Sequence, residues 1–443
     1  MNIQLSEHFT VSKLLKFVAP SIIMMIFTSI YGVVDGFFVS NFVGKTQFAA
    51  VNLIMPFIMA VVTVGFMLGT GGSALVAKTL GEGDESKAKK YFSMIVYTAL
   101  IGGAILSVIS FFLVRPIAVL FGAEGELLEY SVLYAHILVF SLPMFMLQNV
   151  FQVFFVTAEK PHLGLYVIIS AGVTNMLLDF LFIAVFHFGL AGAAVATAIG
   201  ETVGGLVPMI YFARPNSSRL KLVRTKPEWK ALGQACFNGS SELMTNLSAS
   251  VVNMLYNFQL MKFAGQDGIA AYGVIMYVNF IFIAIFIGFS IGSSPIIGYH
   301  YGAENNDELK SLLKKSLMII ATISLALTIF AELLSSPLAK IFVSYDENLF
   351  AMTRDGYRLY TLSYLICGFN IWGSAFFTAL NNGFMSATIS FLRILVFQII
   401  CLLLLPTIFD VNGIWISIVV AEFLAVSVTA TLIIKNREKY QYA

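Results

Sequence analysis

Twelve stretches of this chain are long and apolar enough to cross a lipid bilayer, and no other feature restricts the fold as much. A crossing helix needs about 20 largely apolar residues. Such stretches run over 14–39, 49–77, 91–114, 131–157, 163–186, 191–213, 231–261, 269–297, 312–334, 356–380, 384–407 and 412–434. In hydrocarbon the backbone polar groups must be satisfied within a helix or around a closed barrel. The alternating segments of about ten residues that mark barrel strands are absent. The expected fold is an all-α integral membrane protein. Composition agrees, because only 11% of the 443 residues are charged, against roughly 25% in soluble domains.

The charges that remain are unevenly placed. The N-terminus carries Lys13 and Lys16, and no cleavage motif follows the first apolar run, so no signal peptide is expected. One set of connecting segments and ends collects Lys78, Lys87, Lys89, Lys90, Lys160, Arg214, Arg219, Lys221, Arg224, Lys226, Lys230, Lys310, Lys314, Lys315, Lys435, Arg437 and Lys439. The other set holds only Lys45, Arg115, Lys262, Lys340, Arg354 and Arg358. The positive-inside rule then places both termini in the cytoplasm of a multi-pass protein of the cell inner membrane. The basic segment 214–230 is expected to be a cytoplasmic connection and not a nucleic-acid patch. Cys236, Cys367 and Cys401 lack CxxC spacing and neighbouring His ligands, so they indicate neither disulfides nor a metal.

The sequence also repeats itself. Adding 221 to a position in the first half lands on its match again and again: Ala49 and Met55 on Ala270 and Met276, Ser73 and Gly81 on Ser294 and Gly302, Pro116 and Phe121 on Pro337 and Phe342, Asn149 and Thr157 on Asn370 and Thr378, Gly192 and Glu201 on Gly413 and Glu422. No gap is needed. Two pseudo-symmetric six-helix bundles follow, with lobes at 1–213 and 231–443 joined by 214–230. Six spans per half make the repeats parallel, related by an axis along the membrane normal. Rocking of the halves about a central cavity is the mechanism such a plan predicts. A channel would instead need a selectivity ring built from symmetric copies.

Several segments then become recognisable. Pro20 followed by Asp35-Gly-Phe-Phe-Val-Ser-Asn-Phe-Val-Gly44, the run Gly69 to Asp84, Asn175-Met-Leu-Leu-Asp179, Gly189 to Thr197, Gly298-Tyr-His-Tyr-Gly-Ala303 and Gly413-Ile-Trp-Ile-Ser417 together resemble the MATE (multidrug and toxic compound extrusion) transporters. The resemblance covers nearly the whole chain. It is greatest to the bacterial branch with DinF-like and MepA-like pumps. The NorM-like branch places acids in helix ten, and 356–380 here has none. The resemblance implies export of amphipathic, mostly cationic small molecules in exchange for sodium or protons. It implies a transporter and not an enzyme, with no cofactor beyond the coupling ion. We expect a monomer with no nucleic-acid partner.

Ionisable side chains inside a span cost about 2.5–3.5 kcal/mol on insertion scales, so each one asks for a function. Asp35 lies roughly 28 Å of helical rise beyond Lys16, and Asp179 lies at a similar depth. Asn175 is one turn before Asp179 and shares its face, while Thr197 reaches the same level from the sixth span. All four carry oxygen donors, which hard cations prefer, and by resemblance they match the family's cation site in the N-terminal lobe. Their repeat mates are Tyr256, Val396, Ile400 and Ile418, so the polar set occurs once. A packing need shared by both halves would occur twice.

Glu201 and Glu422, in contrast, are repeat mates and fit a structural role as well as ion handling. Tyr31, Glu201, Glu242 and Tyr256 are candidates to line a substrate or ion cavity, with Met24, Met55, Met59, Phe145, Phe154, Met254, Met276 and Phe280 available for a soft apolar wall. Arg393 is the only basic residue deep in a span and needs a carboxylate partner, either Glu422 or Glu242; a structural pair is expected. The alternative function is a flippase for lipid-linked sugars or cell-wall precursors, which would need a basic cavity to hold pyrophosphate. An intramembrane enzyme is not supported: there is no paired zinc motif and no GxSxG, and His136 and His187 stand alone.

Overall fold

A computed structural model describes residues 3–343 and 346–442. Among them there is no strand. The first half forms α1 (Val11–Phe38), α2 (Lys45–Gly81), α3 (Glu85–Leu120), α4 (Gly125–Thr157), α5 (Pro161–Asp179) and α6 (Gly189–Ala213). Residues 214–228 carry no helix. The second half forms α7 (Trp229–Asn238), α8 (Ser240–Gly302), α9 (Asn306–Val343), α10 (Glu347–Thr361), α11 (Tyr364–Ala379), α12 (Gly383–Phe391), α13 (Gln398–Leu404) and α14 (Pro406–Tyr440).

The second half reaches its six crossings less simply than the apolar runs suggest. The run α8 has 63 residues, about three bilayer thicknesses at 1.5 Å per residue. It is broken at Gly265, where φ is +64°, a conformation that costs glycine little and other residues more. The pair α10 and α11 bends by 48° and counts as one crossing, giving 11 spans. With α8 counted on both sides of Gly265, twelve result.

The two halves share their backbone breaks as well as their residues. Positive φ occurs at Gly44, Gly83 and Gly189, and again at Gly265, Glu304 and Asp410, the positions 221 further on. The side chain at each mate has changed in two of the three pairs, while the turn has persisted.

The halves meet backbone to backbone at the end that carries both termini. A Cβ on Gly81 would sit 2.0 Å from the Tyr299 carbonyl oxygen, and one on Gly302 would sit 2.0 Å from that of Lys78. Both contacts are repeats of each other, so they straddle the pseudo-symmetry axis. Close approach of this kind is how small residues associate helices in lipid. At the opposite end Gly32 and Gly273 have nothing within 4 Å.

The N-terminal segment straps the same closed end. Leu5 and Phe9 are fully buried. The Leu5 amide donates to Glu159 of the first half at 2.9 Å, and the Phe9 amide donates to Glu308 of the second half at 2.9 Å. The connecting segment is tied down too, with Arg219 bridging Glu85 at 3.1 Å and Glu159 at 3.4 Å.

Apolar packing follows the same division. One core joins the second half to the start of α1 through Phe17, Val18, Phe286 and Phe289, while Phe92, Phe151, Phe154 and Phe212 centre a core of the first half. The outside is apolar as well: Phe112, Phe140 and Leu333 are more than 70% exposed, a surface that suits lipid and not water.

Candidate functional site

Three helices bring the expected oxygen donors together. Asp35 comes from α1, Asn175 and Asp179 from α5, Thr197 and Glu201 from α6. The Asp35 carboxyl faces the Asp179 carboxyl and the Thr197 hydroxyl. Asn175 Nδ2 donates to Thr197 Oγ1 at 3.4 Å, and Thr197 donates in turn to the Ala193 carbonyl at 3.1 Å. Asp179 is completely buried and Asn175 nearly so.

The electrostatics of this group are unusual. Asp35 Oδ1, Asn175 Oδ1 and both carboxylate oxygens of Asp179 are buried and accept no hydrogen bond from the described residues. Buried acceptors in native proteins are almost always partnered, and burying a carboxylate oxygen without a donor is costly. Four such oxygens converging from two helices form a set that a small hard cation or a shared proton would satisfy. No group of three or more His, Cys, Asp or Glu able to hold a metal occurs among the described residues. Two carboxylates, an amide oxygen and a hydroxyl are all hard oxygen donors, a set that fits an alkali cation better than a transition metal.

A polar lining surrounds the set, and part of it was not legible beforehand. Tyr31 faces Gln148, with Glu201 and Asp35 nearby. Ser141 donates to Glu201 at 2.6 Å, and the Tyr134 hydroxyl, close to Asp35, Glu201 and Thr197, has no hydrogen-bond partner among the described residues. Tyr134, Ser141 and Gln148 all stand on α4. Their repeat mates are Asp355, Leu362 and Phe369, so Ser141 and Gln148 lose their polar groups in the second half while Tyr134 is matched by another polar residue.

The second half holds a separate cavity of about 270 Å³. Glu242, Tyr256, Met276, Phe280, Arg393 and Glu422 line it, with Phe66, Thr70 and Val153 reaching it from the first half. The four cavity candidates are thus divided: Tyr31 and Glu201 belong to the group around Asp35, while Glu242 and Tyr256 belong here. Tyr256 stacks on Tyr272 with ring centroids 4.9 Å apart. Of the other apolar candidates, Phe154 is locked in the core against Phe92 at 4.9 Å, and Met254 is 74% exposed. Neither lines this cavity.

Arg393 is paired with Glu422 and not with Glu242. Its Nε lies 2.8 and 3.0 Å from the two carboxylate oxygens. Asn370 donates to the same carboxylate at 2.7 Å and is itself held by the Thr429 hydroxyl at 2.8 Å. The repeat mates Glu201 and Glu422 have therefore acquired different partners, a serine in one half and a guanidinium in the other.

Each intramembrane charge named above except the glutamates adjoins a π-helical turn. These turns span Val39–Val43 just after Asp35, Phe180–Val185 directly after Asp179, and Leu392–Phe397 around Arg393. Such turns are rare and concentrate at functional sites.

The MatE family model fits this chain twice, matching residues 20–181 and again 243–404. The chain belongs to the MatE family. Members of this family are transporters, so this is a membrane transporter and not an enzyme. It is similar to the multidrug export protein MepA of Staphylococcus haemolyticus, with 26% identity over 429 residues, 96% of this chain and 94% of that protein. Similarity to MepA of Staphylococcus aureus strain MSSA476 is 24% over 424 residues, covering 95% and 92%. In fold the chain is similar to an outward-facing multidrug resistance MATE family transporter of the MOP superfamily, with a TM-score of 0.93 and 22% identity over 99% of this chain and 98% of that one. The two matches of the MatE model fall one in each half, 223 residues apart.

Proposed function

We propose that this MatE transporter exports amphipathic, mostly cationic compounds in exchange for inward sodium or protons, by alternating access. One observation carries the reading: the buried, donor-less oxygens of Asp35, Asn175 and Asp179 beside Thr197. A pocket of that kind binds a cation or proton tightly only while it is shielded, and must release it when the lobes rock. The names of the MepA relatives support multidrug export as the task.

The charges of the second cavity weigh against the flippase alternative. Glu422 neutralises Arg393, and Glu242 adds a negative charge on the same wall. A pyrophosphate would meet net repulsion there.

Both termini are cytoplasmic in this proposal, in the cytoplasmic membrane, as the Lys and Arg bias suggests. The close contact at Gly81 and Gly302 then shuts the cytoplasmic side. Single cysteines at Lys221 and Glu126 check the orientation in intact cells: a membrane-impermeant thiol reagent is expected to label Glu126→Cys and spare Lys221→Cys. The opposite pattern would invert the topology.

The function itself is tested in vesicles loaded with a fluorescent cation, with sodium and proton gradients imposed separately. At least one gradient is expected to drive efflux against the dye's own gradient. If neither does so in purified, folded protein, the exchange reading fails.

A further inference from the structure

The closed end that carries both termini holds another cavity, apart from the ion site and from the cavity of the second half. Its volume is about 250 Å³, and it lies where the base of α1 meets the start of α5. Lys16 of α1 and Lys160, the residue before α5, both line it, and neither makes an ion pair with a described residue. His162 and Tyr166 line it from the first two turns of α5. An imidazole N–H donates in either protonation state, and so does a phenol O–H. Glu159 is on the wall too, but its carboxylate is already engaged. It accepts from the Leu5 amide at 2.9 Å and lies 3.4 Å from Arg219. The free charge of the cavity is therefore positive.

Beneath these groups the wall is apolar, formed by Ile3, Phe17 and Leu163. The apolar surface continues from there into the span. Ile23 stands seven residues after Lys16, and Val173 seven after Tyr166, so each lies two turns further along the same helix face. They are 50% and 39% exposed. Between the two helices Met24, Leu165 and Ile168 close the seam. A soluble anion would use only the basic mouth. A molecule with an anionic head and hydrocarbon tails matches both parts.

We propose that this cavity binds an anionic phospholipid, with Lys16, Lys160 and His162 holding the phosphate and the acyl chains lying along the seam of α1 and α5. Lysine binds phosphate as a point charge and needs no fixed fork. Basic pockets between spans on the cytoplasmic side are suited to such headgroups, because that leaflet is the anionic one. The lipid also has a structural consequence. α1 carries Asp35 and α5 carries Asp179, so one headgroup joins the bases of the two helices that build the ion site.

Native mass spectrometry of the purified full-length protein, titrated with dioleoylphosphatidylglycerol or dioleoylphosphatidylcholine, gives the affinity for the first lipid bound. The glycerol lipid is expected to bind about 25-fold more tightly than the choline lipid, since each of two lysines beside an anionic headgroup contributes roughly fivefold. In Lys16→Gln/Lys160→Gln that ratio should fall to about one. The single variants should each lower it about fivefold, and they serve if the double variant does not fold. Lys310→Gln/Lys314→Gln removes two charges from α9 and should leave the ratio as it is. Equal affinities in the wild type, a ratio untouched by loss of Lys16 and Lys160, or an equal fall in the α9 variant would each overturn the site. Glycerol phosphate added at the lipid's own concentration is expected to displace nothing. If it competes with the lipid, the cavity takes a soluble anion and the lipid assignment is wrong.

Discussion

Asp35→Asn and Asp179→Asn will each abolish gradient-driven efflux while leaving the protein folded. One-for-one exchange of an exported cation for an inward ion moves no net charge, so the ion's concentration gradient does the work: a tenfold gradient supplies about 1.4 kcal/mol, enough to sustain about a tenfold ratio of the exported compound. An amide at either position halves the charge of the oxygen set and cannot take up a proton, so coupling is lost and the ratio should collapse to about one. Stability should not suffer. Three of the four carboxylate oxygens of this pair lack a donor, and replacing a buried unpaired charge with an isosteric amide removes a cost. The check is efflux against an imposed gradient at equal membrane content, beside thermal unfolding of the same variants. Wild-type coupled efflux in the double Asn variant would move the ion site elsewhere, with Glu201 and Glu242 the next places to look.

Arg393→Ala will lower stability by about 3 kcal/mol, the scale of a buried carboxylate stripped of its partner. Glu422 is 1% exposed, and without Arg393 only Asn370 remains to hold it. Arg393→Gln/Glu422→Gln should recover most of the loss, since no charge is then left behind. Thermal unfolding in one detergent, across the wild type and both variants, reads this directly. An Arg393→Ala protein as stable as the wild type would show that the pair contributes nothing to the fold.

Much of the architecture was legible because lipid imposes a length: the first six apolar runs coincide with α1 to α6 to within a few turns. The second half was harder. The runs 231–261 and 269–297 became a short α7 and a long broken α8, because a glycine break and a helix joint look alike in a uniformly apolar sequence. The structure shows both Gly44 and its repeat mate Gly265 as backbone breaks, a pairing that hydropathy does not reveal. The repeat itself separated Asp35, Asn175, Asp179 and Thr197 from residues that both halves need.

What stayed hidden is the rotation of each helix about its own axis. In a soluble protein the polar face declares itself, but a span is apolar towards both lipid and core, so its periodicity is weak. That is why Phe154 and Met254 could be counted as cavity candidates although one packs in a core and the other faces outward. It is also why Tyr134, Ser141 and Gln148 went unnoticed. Their polar ends are one or two atoms on apolar stems, and only the packing of α4 against α6 aims them at Glu201 and Asp35. The choice of Glu422 over Glu242 as partner to Arg393 was open for the same reason.

Exchange is the central claim, and reciprocity tests it most directly. If ion and substrate compete for one rocking cycle, an outward gradient of substrate alone must drive ion uptake, because coupling between two sites works in both directions. Proteoliposomes loaded with a fluorescent cation, and diluted into medium with no ion gradient, should take up radioactive sodium or alkalinise the outside as the dye leaves. The uptake should vanish with Asp35→Asn/Asp179→Asn. Dye efflux at the wild-type rate with no movement of sodium or protons would contradict the account.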